Sequence, residues 1–145
     1  MIRRELYLQK IKPFVNKPII KVLTGIRRSG KSELMKMIRD ELLRQGIPED
    51  NIVYLNFESL QLVDLLDSMA LYNHICARIK PNTKTYIFLD EIQEVENWEK
   101  VVNSLMADFD VDIYITGSNS RMLSSELSTY LTGRYIEIPV LTLSL

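Results

Sequence analysis

At 145 residues, with 46% apolar and 26% charged residues and a formal net charge of -1, the chain has the size of one domain around one core and an ordinary soluble composition, which excludes a disordered polymer. No stretch approaches the unbroken apolar run of a membrane span, and the near-neutral charge offers no electrostatic footprint for nucleic acid. Glu5 precedes any continuous apolar region, so no secretory signal is visible and a cytoplasmic protein is expected.

Cys76 is the sole cysteine and His74 the sole histidine, which rules out an internal disulfide and leaves a zinc site short of ligands. The two stand at alternate positions of a predicted helix and so point in different directions. Arg3, Arg4, Lys10, Lys12, Lys17 and Lys21 make the amino-terminal segment basic, read as a solvated face or a field on the phosphate side.

Past Pro13 and Pro18, Ile19 to Thr24 form a β-branched run suited to a buried strand that ends at Gly25. From Lys31, the apolar residues Leu34, Met35, Ile38, Leu42 and Leu43 recur at helical spacing until Gly46 and Pro48 stop them. Ile52 to Phe57 reads as a second strand. Leu62, Leu65, Leu66, Met69, Tyr72, Ile75 and Ile79 predict one amphipathic helix ending before Pro81. Thr85 to Leu89 is the third strand, a helix begins near Asn97 with Trp98, Val101, Val102, Leu105 and Met106 inward, and Val111 to Thr116 is the fourth. A short helix is expected over 121–130 and a last strand over Tyr135 to Ile138, where Pro139 argues against a central position. Strands alternating with helices imply an α/β fold with a mostly parallel sheet covered on both faces, binding its ligand beyond the carboxyl ends of the strands.

Gly25-Ile26-Arg27-Arg28-Ser29-Gly30-Lys31-Ser32 fits G-x-x-x-x-G-K-[ST] at every fixed position and lies between a predicted strand and a predicted helix. Glycines allow backbone N–H groups to converge on phosphate oxygens, and the helix amino terminus favours their charge. Lys31 would bridge the terminal phosphates and the Ser32 hydroxyl would ligate Mg²⁺. Arg27 and Arg28 either touch phosphate or stay solvated.

Tyr86-Ile87-Phe88-Leu89-Asp90-Glu91 carries an apolar strand into two adjacent carboxylates. One strand-helix-strand interval after a complete phosphate loop, Asp90 is expected to hold Mg²⁺ or its waters and Glu91 to deprotonate the attacking water. Alone, the pair would read equally as a helix cap. Thr116-Gly117-Ser118-Asn119-Ser120 ends the fourth strand at the same edge, where Ser118 or Asn119 either senses the γ-phosphate or caps a helix. Arg134, in Thr132-Gly133-Arg134, is either an arginine finger for a neighbouring subunit's nucleotide or a surface arginine after a turn.

These three stretches, Leu23 to Ser32, Phe88 to Gln93 with Trp98 beyond, and Ile115 to Ser120 with Gly133-Arg134-Tyr135, resemble the AAA+ ATPases, in particular archaeal and bacterial ATP-binding proteins whose AAA domain precedes a further carboxyl-terminal domain. The resemblance spans nearly the whole chain. It implies a three-layer α-β-α P-loop core with a five-stranded sheet in the order 5-1-4-3-2, ATP as the nucleotide, and an adenine pocket formed partly by Arg4 and Tyr7. Packing of Tyr7, Leu8 and Ile11 as a core helix face is the competing reading of that segment. Relatives of this kind continue into a helical lid and another domain, whereas here the sequence runs to Leu141-Thr142-Leu143-Ser144-Leu145. A truncated chain, or a carboxyl-terminal strand that meets another domain or another copy, is therefore expected.

The leading expectation is a Mg·ATP hydrolase whose turnover is reduced without the lid. A nucleotide-dependent binding switch without useful hydrolysis is the second. A small-molecule kinase is the third, disfavoured because adjacent Asp90 and Glu91 suit water as acceptor.

Overall fold

The structure is a computed structural model that describes residues 2–25, 30–118, 127–132 and 134–140. Among the described residues, strands β1 (Ile20–Gly25), β2 (Ile52–Asn56), β3 (Thr85–Asp90), β4 (Val111–Ser118) and β5 (Tyr135–Pro139) form one sheet in the order β2-β3-β4-β1-β5. Every neighbouring pair is parallel, so the chain must cross over the sheet between strands. Helices α1 (Ile2–Ile11) and α2 (Lys31–Arg44) accompany one face; α3 (Ser68–Cys76), α4 (Trp98–Asp108) and α5 (Leu127–Tyr130) accompany the other. The expected order and layering are those observed.

The alternation of each strand divides the core in two. Ile20, Val22, Val53, Leu55, Ile87, Leu89, Ile113 and Ile115 pack with α3 and α4 through Leu71, Ile75, Trp98, Val102 and Leu105. Leu23, Ile52, Tyr86, Phe88, Tyr114 and Ile138 face Leu34, Met35, Ile38 and Leu42 of α2 and Tyr7 and Ile11 of α1. All residues of β1, β3 and β4 are buried, which is why these strands are mostly apolar, while the edge strand β5 keeps Tyr135, Ile136 and Glu137 half-buried. On the α2 face, Tyr54, Phe88 and Tyr114 stack across three strands with ring centroids 5.7 and 4.6 Å apart.

The same row continues into a buried polar cluster. Lys21 is bonded to the Asp112 carboxylate and donates to the Lys17 carbonyl at 3.0 Å; Asp112 also accepts from the Tyr114 hydroxyl at 2.7 Å and from the Asn16 amide at 3.0 Å. Burial lowers the pKa of Lys21, opposed by the Asp112 charge. These contacts tie the turn before β1 to the sheet at the amino ends of the strands.

One predicted helix is interrupted. Leu60–Leu65 form a 3-10 segment, non-helical at Leu62, with the Ser59 hydroxyl accepting from the Gln61 amide. A new helix then starts where the Asp67 carboxylate accepts from the Ala70 amide at 2.9 Å. Asp67 is a strong cap, and it stops the helix that the spacing of Leu62, Leu65 and Leu66 suggested. Leu62 and Leu65 in the 3-10 segment and Leu66 just after it still pack against the core, so the apolar period survived without the helix. Met69, expected inward, is 60% exposed. Of the short helix expected over 121–130, residues 127–130 are helical and 121–126 lie outside the described residues.

Candidate functional site

The site lies at the carboxyl edge of the sheet, where β1, β4 and β3 stand side by side. Gly25, the last residue of β1, pairs with Ser118, the last of β4. Gly30 then caps α2 with a φ of 98°, a left-handed conformation that disfavours any residue with a Cβ. Gly30 has no side chain with which to cap this helix. The amide groups of its first turn lack intrahelical acceptors by position and, with the helix dipole, make a place for an anion. Ile26, Arg27, Arg28 and Ser29 lie outside the described residues, as does the side chain of Arg4.

Lys31, the first residue of α2, is 3% exposed. Its Nζ donates to the Gly25 carbonyl at 2.8 Å and stands 3.7 Å from Glu91 Oε2. Ser32 follows, half-buried at the start of the same helix.

Asp90 and Glu91 are both buried at the end of β3. Thr116, on the neighbouring strand, joins them: its hydroxyl donates to Asp90 Oδ1 at 2.6 Å and accepts from the Glu91 amide at 2.8 Å. Glu91 has φ 57° and ψ 52°, a left-handed conformation costing about 1–2 kcal/mol in a non-glycine residue. This kink opens the 3-10 turn Ile92–Glu94, and the Gln93 amide donates to Glu91 Oε1 at 2.7 Å. One carboxylate oxygen of Glu91 is thus fixed by Gln93 and the other faces Lys31.

Asp90 Oδ2 is buried and completes no hydrogen bond among the described residues. A buried carboxylate oxygen left over at the sheet edge that also carries Ser32 and Lys31 suits a hard cation with oxygen ligands, and Mg²⁺ fits a donor set of carboxylate and hydroxyl oxygens. Across from it stands Tyr54 of β2, whose phenol pKa is raised by burial and by the charge of Asp90.

The chain thus brings Gly25, Gly30, Lys31, Ser32, Asp90, Glu91 and Ser118 to one edge. Asn119 lies outside the described residues. Tyr7 packs in the core with Leu23, Leu34, Met35, Ile138 and Val140, with Lys10 Nζ 5.6 Å from its ring centre. Arg134 is not brought into this site: its carbonyl accepts from the Ile20 amide at 2.9 Å, at the amino edge of the sheet. Gly25 is the far end of β1, about 16 Å away at the usual strand rise, and the Arg134 side chain is exposed. Thr116, Gln93 and Tyr54 were not singled out by sequence as site residues. Thr116 carried a usable signal, the first polar residue after the apolar run Ile113-Tyr114-Ile115.

A parallel sheet in this order, with a glycine-bounded loop before α2 and an acidic pair ending β3 across an intervening strand, defines an AAA+ type P-loop domain. A family model described as AAA domain matches residues 17–145, and the chain belongs to that family. It is 48% identical over 145 residues to an uncharacterized protein of Haemophilus influenzae, covering 99% of this chain but only 36% of that protein. Among solved structures it is similar in fold to Drosophila ORC bound to AT-rich DNA and Cdc6, with a TM-score of 0.63, 13% identity, and coverage of 97% of this chain and 55% of that one. DnaA from Aquifex aeolicus, bound to AMPPCP, gives a TM-score of 0.58 at 15% identity, covering 95% of this chain and 47% of that one. Among the described residues, no helix is long and apolar enough to cross a membrane.

Proposed function

We propose that this chain binds ATP with Mg²⁺ at the loop between β1 and α2 and hydrolyses it, Glu91 acting as general base. The observation that carries the reading is the convergence of Lys31, Glu91 and the unsatisfied Asp90 Oδ2 at one buried edge. The α2 amides and Lys31 would hold the β- and γ-phosphates, as anions at a helix amino terminus. Ser32 and Asp90 would hold Mg²⁺, which when bound offsets charge on the transferring phosphoryl group. Glu91, kept in place by Gln93 and its own strained backbone, accepts the proton of the attacking water. Ser118, paired with Gly25 at the same edge, would meet the terminal phosphate. The AMPPCP in the DnaA structure, a nucleotide in the same fold, supports this choice of ligand.

The Lys31–Glu91 contact also favours a switch-like cycle. Entering phosphate competes with Glu91 for the same ammonium group, so nucleotide binding and release of the base are coupled. Arg134, exposed at the opposite edge, can serve only the nucleotide of another copy, and β5 as an edge strand is the surface through which a further domain or a second copy would dock.

Fluorescent-nucleotide titration of the purified chain and Lys31→Ala, with phosphate release assayed in parallel, tests the reading. At least a tenfold loss of affinity, about 1.4 kcal/mol, is expected on losing Lys31. Unchanged affinity would refute it.

A further inference from the structure

We infer that Tyr54 is a positioning residue for the metal: its hydroxyl donates into the corner occupied by Asp90 Oδ2, holding that oxygen and the water shell it carries in register. The inference rests on the proposed Mg·ATP reading and adds to it a residue on β2, the strand farthest from the phosphate loop.

Tyr54 pairs with Phe88 in the parallel register and Asn56 pairs with Asp90. Tyr54 and Asp90 therefore lie on adjacent strands and, by alternation, on the same face, the one covered by α2. Ring orientation is fixed on both sides. Phe88 stacks at 5.7 Å with an interplanar angle of 20°, and the Arg39 guanidinium of α2 stands 5.1 Å from the ring centre.

The Tyr54 hydroxyl and Asp90 Oδ2 are both buried, and neither completes a hydrogen bond among the described residues. An unsatisfied buried polar group costs about 1–3 kcal/mol, so two on the same face of neighbouring strands call for an explanation. Packing alone gives none, because phenylalanine would fill the same ring position without the penalty. A shared partner explains both. The carboxylate oxygen takes a cation or its water, and the phenol donates to that oxygen or that water, as outer-shell donors orient metal-ligating carboxylates. Thr116 already fixes the other oxygen, Oδ1. Asp90 would then be held from both sides, by a hydroxyl from β4 and a hydroxyl from β2.

Tyr54→Phe removes the donor and keeps the stack. Nucleotide affinity of the wild type, Tyr54→Phe and Asp90→Asn would be measured with EDTA and across a Mg²⁺ titration, with thermal unfolding of each. For Tyr54→Phe the expected result is a Mg²⁺ concentration for half-maximal effect raised by about 10-fold, with unchanged affinity in EDTA. Comparing EDTA with Mg²⁺ in the same variant cancels any general effect on folding. A Mg²⁺ curve identical to wild type, with Asp90→Asn losing its response, would overturn the role of Tyr54 while leaving the metal site intact. A wild type indifferent to Mg²⁺ would remove both readings.

Discussion

Lys31 Nζ and Glu91 Oε2 stand 3.7 Å apart in a buried setting, so the lysine of the phosphate loop and the carboxylate read as the base hold one another. Weakening the carboxylate should free the lysine for phosphate. Glu91→Gln is therefore expected to bind ATP several-fold more tightly than wild type while phosphate release falls by about 10²–10⁴-fold, the usual worth of a positioned base. Single-turnover assays beside equilibrium binding separate the two; weaker binding by the variant would show that the pair does not compete with nucleotide.

Thr116 serves two masters, Asp90 Oδ1 and the Glu91 amide. Thr116→Val keeps the shape and removes both bonds. A stability loss of about 1–3 kcal/mol is expected from the stranded buried groups, together with a drop in Mg²⁺-dependent turnover larger than any change in nucleotide affinity in EDTA. Urea unfolding and phosphate release measure these, and retention of full turnover would remove Thr116 from the site.

The buried Lys21–Asp112 pair sits at the amino edge, away from the phosphate loop. Removing one partner leaves the other charge buried and unpaired, so Asp112→Ala is expected to cost about 3–5 kcal/mol. Where the variant remains folded, its ATP affinity should match wild type. Urea denaturation gives the first quantity; a cost below 1 kcal/mol would mean that water reaches Lys21 readily.

Alkaline pH should unfold the chain early. Tyr54, Tyr86 and Tyr114 hold their phenol protons beyond the ordinary 10.0, through burial first, then the charge of Asp90 for Tyr54 and of Asp112 for the other two. Above that value an unfolded tyrosine has lost its proton while these have not, so the folded chain binds more protons and stability falls as pH rises. Lys21 acts oppositely: its lowered pKa makes stability rise with pH between that value and 10.5. The tyrosines dominate above both. Tyr114→Phe should flatten the decline by up to about 1.4 kcal/mol per pH unit, read from denaturant midpoints between neutral and strongly alkaline pH; an unaltered slope would show that Tyr114 already ionises in the folded chain.

The sequence by itself determined most of the elements and the residue types at the strand ends: the buried runs of β1, β3 and β4, the helical period from Leu34 to Leu42, and the loop residues Gly25, Gly30, Lys31 and Ser32 with Asp90 and Glu91. Burial pattern, glycine conformation and residue charge are local properties, so they are written locally. The tertiary structure decided what stands across the sheet from what. Thr116 reaches Asp90 over 26 positions and Lys21 reaches Asp112 over 91, and Tyr54 meets the acidic edge only because β2 lies beside β3. It also set Arg134 at the far edge, since in a parallel sheet the residues before the strands share one edge and the residues after them share the other. Spacing along the chain cannot encode such pairings, because crossovers bring together groups whose separation in sequence is set by the helices between them.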